Sequence, residues 1–404
     1  MPCLAKKSSP VEPLGPLRCE HMSRVVADGS MPAGFSYWSF AHAILRFFAT
    51  CGADMIDVPL IQPADPFLDI AGEGLRGRIF LTGSDAGETL CLRHEFRLPT
   101  CLDYIKTRVS APRRRAYLGE IFRQCKETNS EFLAGLEDLG NTDIAATDAR
   151  LIADAYALLE QLLPGQELAV TIGDQTIFEA VLAGLGLPPI WERRLVRVFG
   201  MPDQLNLVLA DFAKSMPKKE FGDSLTPFVV CSHLKGLTAH IAAAMELVGI
   251  SPAVGRTPEE IARRHIEKAE LARVTLPQAT FDALKTFLLI RVPFERAPSE
   301  LADFAKEKGL MLGAALDCFA ARAEAIANHC LPSSHMIYDA GYGRPLDCYT
   351  GLAFQISVPE IDQPLLDGGR YDQLLALLGA PPPVRGVGFS VWLDRIQSLG
   401  QSIA

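Results

Sequence analysis

The amino-acid sequence predicts an α+β fold, in which a mixed, mainly antiparallel sheet is flanked by helices and interrupted by a helical insertion. Strand-like runs follow one another through turns near both ends of the chain, instead of alternating with helices as in a βαβ series. Between these two regions, apolar residues recur at helical spacing, with proline and glycine separating the periodic segments. We therefore predict a flexible tail over residues 1–20, a core over 21–187 and 307–404, and the insertion over 188–306.

The first part of the predicted core contains a helix, an extended segment and a hairpin. In SFAHAILRFFATCG, Phe40, Ile44 and Phe48 fall on one helical face, and Gly52 suits the position just after the helix. The segment MIDVPLIQPADPFLD, residues 55–69, contains prolines and predicts an extended edge strand. The runs RIFLT and TLCLRHEF surround the turn sequence GSDAGE, and this arrangement predicts a β-hairpin.

Further strands and one long helix complete the core. RRAYLGEIFRQC and FLAGLEDLG predict two strands, and HMIYDAG, DCYTGLAFQISV and GVGFSVWL predict three more after the insertion. ATDARLIADAYALLEQLL places Leu151, Ala155 and Leu158 at helical spacing. Thr147 is its predicted N-cap, and the following Pro164 is expected to end it.

Composition and charge argue against several classes of protein. The formal net charge of −9 disfavours broad nucleic-acid binding, which needs a basic surface. Apolar runs are too short to span a membrane, and the N-terminus lacks the apolar segment of a secretory signal, so we expect a cytoplasmic protein. The ten cysteines form no CxxC pair and the eight histidines no HExxH motif, so we predict no metal site.

Four spaced motifs carry the candidate chemistry. LRHE ends at Glu95, YLGEIFRQ contains Arg123, RPLDCYTG begins at Arg344, and GGRYDQL precedes GVGFSVWLDR near the C-terminus. Each motif alone is weak, but their order and flanking elements are specific. Together they resemble the class II aminoacyl-tRNA synthetase core and, within that class, histidyl-tRNA synthetase. The resemblance covers roughly residues 25–185 and 310–398, and it implies the class II fold.

The resemblance implies a pocket for histidine. LRHE resembles the family's LRPE, whose acid holds the amino group of histidine, and EFLAGLE resembles QFxQxGxE, whose last acid contacts the imidazole. RPLDCYTG resembles the histidine-specific RGLDYYTG, and GGRYDQL matches a glycine turn of the family. These residue types suit the ligand, because an ammonium group pairs with a carboxylate and a carboxylate pairs with an arginine fork. The predicted histidine-binding residues are Glu95, Arg97, Glu137, Arg344, Tyr349 and Thr350.

The nucleotide site of the resembled enzymes is only partly retained. FRQC resembles the second class II motif FRxE, which makes Arg123 the α-phosphate contact, and GVGFSVWLDR resembles GxGxxxGxER, which supplies Arg395. Cys125 replaces the glutamate that contacts adenine, Trp392 replaces the glycine on which adenine rests, and Leu133 replaces a histidine-contacting glutamine. We therefore predict a vestigial nucleotide site, no catalytic residue and no cofactor.

Trp392 has two alternative orientations in the predicted strand. Its indole is nearly as large as adenine, so it can fill the vacated purine position. Because strand faces alternate, a shift of one residue would instead turn the indole to the opposite face, as an ordinary core side chain.

The losses at the nucleotide site indicate a regulatory protein. The chain ends nine residues after Arg395, which predicts that no anticodon-binding domain follows and that tRNA is not a partner. Such a core is similar to the regulatory subunits of ATP phosphoribosyltransferase. That family implies a non-catalytic homodimer, assembled with a short catalytic subunit in the first step of histidine biosynthesis, with free L-histidine as feedback ligand. The alternatives are a diverged enzyme forming histidyl-adenylate, which the retained Arg123 and Arg395 favour, and a tRNA sensor, which the negative charge disfavours.

Overall fold

The chain adopts the α+β architecture that the sequence predicts, as shown by a computed structural model. The residues described are 40–70, 76–107, 111–124, 129–213, 228, 231, 233–249, 256–271, 277–329, 331–344, 349–381 and 384–403, so the predicted tail lies outside them. The strands are β1 Asp54–Met55, β2 Ile61–Pro63, β3 Leu81–Gly83, β4 Thr89–Leu92, β5 Arg113–Phe122, β6 Ser130–Leu139, β7 Ala169–Asp174, β8 Arg291–Pro293, β9 Met336–Asp339, β10 Leu352–Ser357, β11 Leu366–Arg370 and β12 Gly386–Trp392. The helices are α1 Ala41–Thr50, α2 Asp65–Ile70, α3 Arg97–Lys106, α4 Ile144–Leu162, α5 Gln175–Gly184, α6 Pro189–Val198, α7 Pro202–Ala213, α8 Leu234–Val248, α9 Pro258–Leu271, α10 Gln278–Leu288, α11 Ala297–Lys308, α12 Gly313–Ala327, α13 Asp372–Leu377 and α14 Leu393–Ile403.

The larger sheet organises the molecule. Among the described residues its strand order is β1-β5-β6-β12-β11-β10-β7-β9-β8. β1 pairs with β5 and β7 pairs with β9 in parallel, whereas the remaining neighbours are antiparallel. The sheet is therefore mixed and mainly antiparallel, as predicted, and strands from both ends of the sequence meet at its centre.

A smaller sheet contains the predicted hairpin. β3 and β4 pair antiparallel with Gly83 opposite Thr89, and β2 adds to the other side of β4, which confirms the hairpin. The prediction of an extended segment through residues 55–69 is wrong at its end, where α2 begins at Asp65. Proline is accepted in the first turn of a helix, and the acidic Asp65 is favourable at the helix N-terminus.

Helix α4 covers one face of the larger sheet. Its buried residues, such as Leu158, pack with Phe389 of β12 in the main apolar cluster, and each buried leucine contributes roughly 2 kcal/mol. The prediction of Thr147 as N-cap is wrong. The cap is Asp143, whose Oδ1 accepts a hydrogen bond from the N–H of Ala146 at 3.1 Å, because its carboxylate reaches a free first-turn donor.

The segment 188–306 contains two kinds of structure. Helices α6, α7, α10 and α11 contribute to the main core, where Phe199 stacks on Phe178 with ring centroids 4.0 Å apart, and β8 joins the edge of the larger sheet. Helices α8 and α9 instead enclose a cluster of their own around Leu237 and Ile241. Within the described ranges, no helix is both long and apolar enough to cross a membrane.

Strand β11 contains the two glycines that were predicted to form a turn. Gly368 and Gly369 pair with β10 and β12 on either side, so the turn assignment of GGRYDQL is wrong. A Cβ on Gly368 would lie 2.6 Å from a ring carbon of Phe354. Here glycine serves close packing within a strand, because real Cβ contacts are never that short.

Candidate functional site

The candidate site lies on the sheet face opposite α4. Glu137 of β6, Gly388 of β12 and Gly369 of β11 are direct neighbours across three strands. Because side chains alternate along a strand, Phe389 enters the main core while position 388 faces the other side. A Cβ on Gly388 would lie 1.6 Å from Oε2 of Glu137, and one on Gly369 would lie 2.9 Å from the ring of Tyr349. The two glycines therefore leave room for a carboxylate and an aromatic ring.

Glu137 is completely buried, and its partners come from three other elements. The hydroxyl of Tyr117 donates a hydrogen bond to Oε1 at 3.0 Å, and the hydroxyl of Tyr371 donates one to Oε2. The Nε atom of Arg97 lies 3.5 Å from Oε1. Burial raises the pKa of the Glu137 carboxyl above its ordinary value, against the opposing effects of Arg97 and the two hydroxyls.

Arg97, the first residue of α3, extends into a pocket formed by Tyr117, Glu137, Tyr349 and Tyr371, which we call the tyrosine–glutamate pocket. Its Nη1 atom donates a hydrogen bond to the hydroxyl of Tyr349 at 2.5 Å. The guanidinium carbon lies 4.9 Å from the ring centroid of Tyr371 and 5.4 Å from that of Tyr349, within the range of cation–π attraction. With 8 % of its surface exposed, Arg97 is part of the interior of this site.

Glu95 and Thr350, two other predicted ligands of histidine, each have a local partner. Oε1 of Glu95 accepts a hydrogen bond from the N–H of Leu98 at 2.7 Å, so this carboxylate caps the start of α3. Burial raises the pKa of Glu95, and the charge of Arg97 opposes that rise. Oγ1 of Thr350 accepts a hydrogen bond from the N–H of Asp372 at 2.9 Å.

Arg344 also lies close to Tyr349. Its guanidinium carbon lies 5.7 Å from the Tyr349 ring centroid, and its side chain forms an ion pair with Asp367 of β11. The structure thus brings Arg97, Glu137, Arg344 and Tyr349 together, although each already has a partner within the chain.

Three residues of the predicted vestigial nucleotide site, Arg123, Trp392 and Arg395, lie beside this pocket. Nε of Arg123 donates a hydrogen bond to the carbonyl of His94 at 3.0 Å, and its Nη1 lies 3.5 Å from Glu131. The guanidinium carbon of Arg395 lies 4.1 Å from the ring centroid of Trp392, where it covers the indole. Cys125 lies outside the described residues.

Trp392 is on the same face of β12 as Gly388, and not on the face that enters the main core. It lies opposite Leu133 of β6 and is 9 % exposed. The apolar cluster around the indole consists of Val58, Phe96, Tyr117, Ile121 and Leu133. Of the two orientations that the sequence left open, the structure has the one that faces the candidate site.

Sequence reasoning did not assign Tyr117 or Tyr371 to the site. Both lie within quoted motifs, in RRAYLGEIFRQC and GGRYDQL. A signal existed in the glycines opposite them: a Cβ on Gly135 would lie 2.3 Å from the Tyr117 hydroxyl, and one on Gly386 would lie 2.6 Å from the Tyr371 ring. Finding these pairs requires the strand register, which one sequence does not provide.

Metal-ligand types are not grouped at this site. Throughout the described part of the chain, no three His, Cys, Asp or Glu side chains are close enough together to hold a metal ion. The polar groups that the site offers are hydroxyls, carboxylates and guanidinium groups, which suit an organic ligand with N–H donors and a carboxylate.

Comparison with known proteins agrees with this architecture. The family model described as histidyl-tRNA synthetase matches residues 36–263 and 235–396. A crystal structure described as an ATP phosphoribosyltransferase regulatory subunit/histidyl-tRNA synthetase from Bacillus halodurans superposes with a TM-score of 0.59, at 20% identity, over 88% of this chain and 77% of that one. A histidine–tRNA ligase subunit from Alicyclobacillus acidocaldarius gives a TM-score of 0.57, at 17% identity, over 99% of both chains. These structures establish the class II synthetase-like fold.

Sequence relatives are much more similar. The chain is 53% identical over 365 residues to the ATP phosphoribosyltransferase regulatory subunit of Mesorhizobium japonicum, covering 90% of this chain and 98% of that protein. It is also 53% identical to the protein of the same name from Chelativorans, and 47% identical to that from Rhizobium rhizogenes, with 90% and 89% of this chain covered and 98% and 97% of theirs. This chain therefore belongs to the ATP phosphoribosyltransferase regulatory subunits, a family with the fold of histidyl-tRNA synthetase.

Proposed function

We propose that this chain is a non-catalytic subunit that activates a short catalytic ATP phosphoribosyltransferase subunit, at the first step of L-histidine biosynthesis in the cytoplasm. The name shared by its relatives implies a catalytic partner. In this proposal the chain is a homodimer, free L-histidine is the feedback ligand, and tRNA is not a partner. The residues proposed to line the histidine site are Glu95, Arg97, Glu137, Arg344, Tyr349 and Thr350, with Arg97 inside the site in the ligand-free chain.

The position of Trp392 is the main support for the proposal that the chain is non-catalytic. An enzyme that activates an amino acid needs an open surface on which the purine of ATP lies, and β12 is where the resembled enzymes provide it. Here that face bears an indole, covered by the guanidinium of Arg395 at 4.1 Å. In this proposal a flat aromatic of nearly purine size takes the place of the base, which its packing and its cation–π contact with Arg395 support.

Reconstitution with the partner tests this function. We expect the purified chain, mixed with a short catalytic subunit from the same organism, to elute as a larger particle and to raise phosphoribosyl transfer from ATP. The chain by itself should show no transfer. Transfer by the isolated chain, or a catalytic subunit that works equally well without it, would contradict the proposal.

The competing function is formation of histidyl-adenylate, which the retained Arg123 and Arg395 favour; this enzyme would also use Arg344, and these three arginines are all present. Two of them are already engaged with carboxylates, Arg123 with Glu131 at 3.5 Å and Arg344 with Asp367. Histidine-dependent exchange of pyrophosphate into ATP distinguishes the two functions. We expect no exchange from the unaltered chain, and robust exchange would establish the enzyme instead.

A further inference from the structure

The tyrosine–glutamate pocket is occupied by a side chain of the protein itself. Glu137 brings a negative charge into the interior, and the hydroxyls of Tyr117 and Tyr371 donate to its two oxygens without neutralising it. The cation beside it is Arg97, whose Nε lies 3.5 Å from Oε1 and whose Nη1 donates to Tyr349. Arg97 therefore supplies both a positive charge and N–H donors to the pocket.

A guanidinium group and an imidazole ring can make similar contacts in such a pocket, although the guanidinium has more donors and a permanent charge. Both are flat, both present N–H donors at their edges, and both pack favourably on aromatic rings. The guanidinium carbon of Arg97 lies 4.9 Å from the Tyr371 centroid and 5.4 Å from the Tyr349 centroid, so the Arg97 guanidinium already takes the position in contact with both rings. The two groups therefore exclude one another.

Arg97 forms fewer hydrogen bonds to charged groups than the buried Arg322 and Arg370. Arg370 forms three hydrogen bonds to aspartate oxygens, at 3.0, 3.0 and 2.5 Å, and Arg322 has two aspartate partners. Arg97 donates one hydrogen bond to a neutral hydroxyl, and its Nε forms an ion pair with Glu137 at 3.5 Å without meeting hydrogen-bond geometry among the described residues. Hydrogen bonds to charged acceptors are roughly twice as strong as neutral ones, so fewer strong hydrogen bonds must be broken to displace Arg97, together with its one ion pair to Glu137.

We propose that Arg97 is an internal ligand of the tyrosine–glutamate pocket, and that the pocket admits a flat N–H-bearing group, such as the imidazole of L-histidine, only when the Arg97 guanidinium leaves it. Glu95 is a carboxylate close enough to interact electrostatically with Arg97, and its hydrogen bond to Leu98 fixes the start of α3 while the longer side chain moves. The choice of histidine as the entering ligand rests on the proposed function. The occupation of the pocket by Arg97 does not depend on the proposed function.

Removing Arg97 tests the proposal on the full chain. Apparent affinity falls in proportion to the fraction of molecules whose pocket is open, so emptying the pocket should strengthen ligand binding. By calorimetry, we expect Arg97→Ala to bind L-histidine more than about tenfold more tightly than the unaltered chain does. Guanidinium at millimolar concentration should raise the melting temperature of Arg97→Ala and leave that of the unaltered chain unchanged.

The matched control is Arg93→Ala on the same segment. Arg93 covers the ring of Phe96 and donates to backbone carbonyls outside the pocket, so its loss should neither strengthen histidine binding nor produce a response to guanidinium. Should Arg97→Ala not fold, Arg97→Lys serves instead, because lysine lacks the flat fork and should also bind histidine more tightly than the unaltered chain.

Measurements with both L-histidine and guanidinium distinguish a failure of this inference from a failure of the proposed function. If guanidinium raises the melting temperature of Arg97→Ala but L-histidine binds no more tightly, Arg97 is still an internal ligand of the pocket, and histidine is rejected as the group that replaces it. Equal histidine affinity in all variants, together with no response to guanidinium, would overturn the internal ligand.

Discussion

At the residue scale, the closest fit in the site is that between Glu137 and Gly388. A methyl group in Gly388→Ala would lie 1.6 Å from Oε2 of Glu137, so the carboxylate would have to move away from its two tyrosine donors. Overpacking and the broken hydrogen bonds together should lower the free energy of unfolding by at least about 3 kcal/mol, measured by urea titration. Gly77→Ala is the control, because no atom lies within 4 Å of the added carbon, and equal midpoints for both variants would contradict the argument.

His94 gives the chain a defined sensitivity to acid. It is 1 % exposed, and burial, with a smaller effect of the Arg123 charge, lowers its pKa from 6.5 to about 3. Between these values the unfolded chain binds a proton that the folded chain does not, so stability is lost as the pH falls from 6.5 towards 3. At pH 5 the free energy of unfolding is lowered by about 2 kcal/mol through His94. His94→Gln should therefore lose less stability than the unaltered chain between pH 7 and pH 5, in urea titrations at both pH values. Identical losses would exclude His94 as the cause.

At the element scale, a buried ion-pair network joins α4, α12 and β11 behind the candidate site. Asp148 of α4 accepts hydrogen bonds from Arg322 of α12 at 2.7 Å and from Arg370 of β11 at 3.0 Å, and both arginines have a second aspartate partner. Because Arg370 directly precedes Tyr371, the network fixes the backbone beside the tyrosine–glutamate pocket. The position of this tyrosine thus depends on a helix on the opposite face of the sheet.

Asp148→Ala would leave two buried arginines without their shared carboxylate. Breaking a buried ion pair from one side costs about 3–5 kcal/mol, and we expect a loss of that size in urea titration. Glu259→Ala removes one member of an exposed pair with Arg263 at 2.7 Å, and should change stability by less than about 0.5 kcal/mol. A small loss in Asp148→Ala would mean that water or other groups replace the carboxylate.

At the scale of the whole molecule, α8 and α9 form a unit with limited attachment to the core. Their apolar cluster around Leu237 is separate from the main core, and partly exposed ion pairs join Glu260 to Arg76 at 2.9 Å and Glu267 to Arg197 at 3.3 Å. A small cluster with surface ion pairs should open locally before the sheet does. We expect faster amide hydrogen exchange in α8 and α9 than in β6 and β12.

The variant Leu237→Ala tests whether α8 and α9 open independently of the sheet. The substitution removes a fully buried side chain from the small cluster, and such losses cost about 2–5 kcal/mol. Exchange in α8 and α9 should accelerate while β6 and β12 keep their protection, as measured by mass spectrometry. Equal acceleration in the sheet would show that the two helices and the core unfold as one unit.

Local sequence patterns determined the elements and the family of this protein. The hairpin of β3 and β4 and the helix α4 follow from alternation, turn residues and helical periodicity, all of which act within a few residues. The ordered motifs from LRHE to GVGFSVWLDR were sufficient to identify the synthetase-like core. Two errors fall at boundaries, the N-cap at Asp143 and the start of α2, because element ends depend on single hydrogen bonds that compete with near equivalents. The third, the turn assigned to Gly368 and Gly369, arose because glycine also serves close packing within a strand.

The composition of the pocket was decided only by the tertiary structure. Arg97 and Tyr349 are 252 residues apart in sequence, and Glu137 meets Gly388 only because β6 pairs with β12 in one register. The same register sets the face of Trp392, which the sequence left open. Strand order and register are fixed by the burial of apolar surface over the whole sheet, so no local stretch contains this information. The sequence alone therefore determined what kind of protein this is, and the folded chain determined that its candidate ligand pocket holds one of its own arginines.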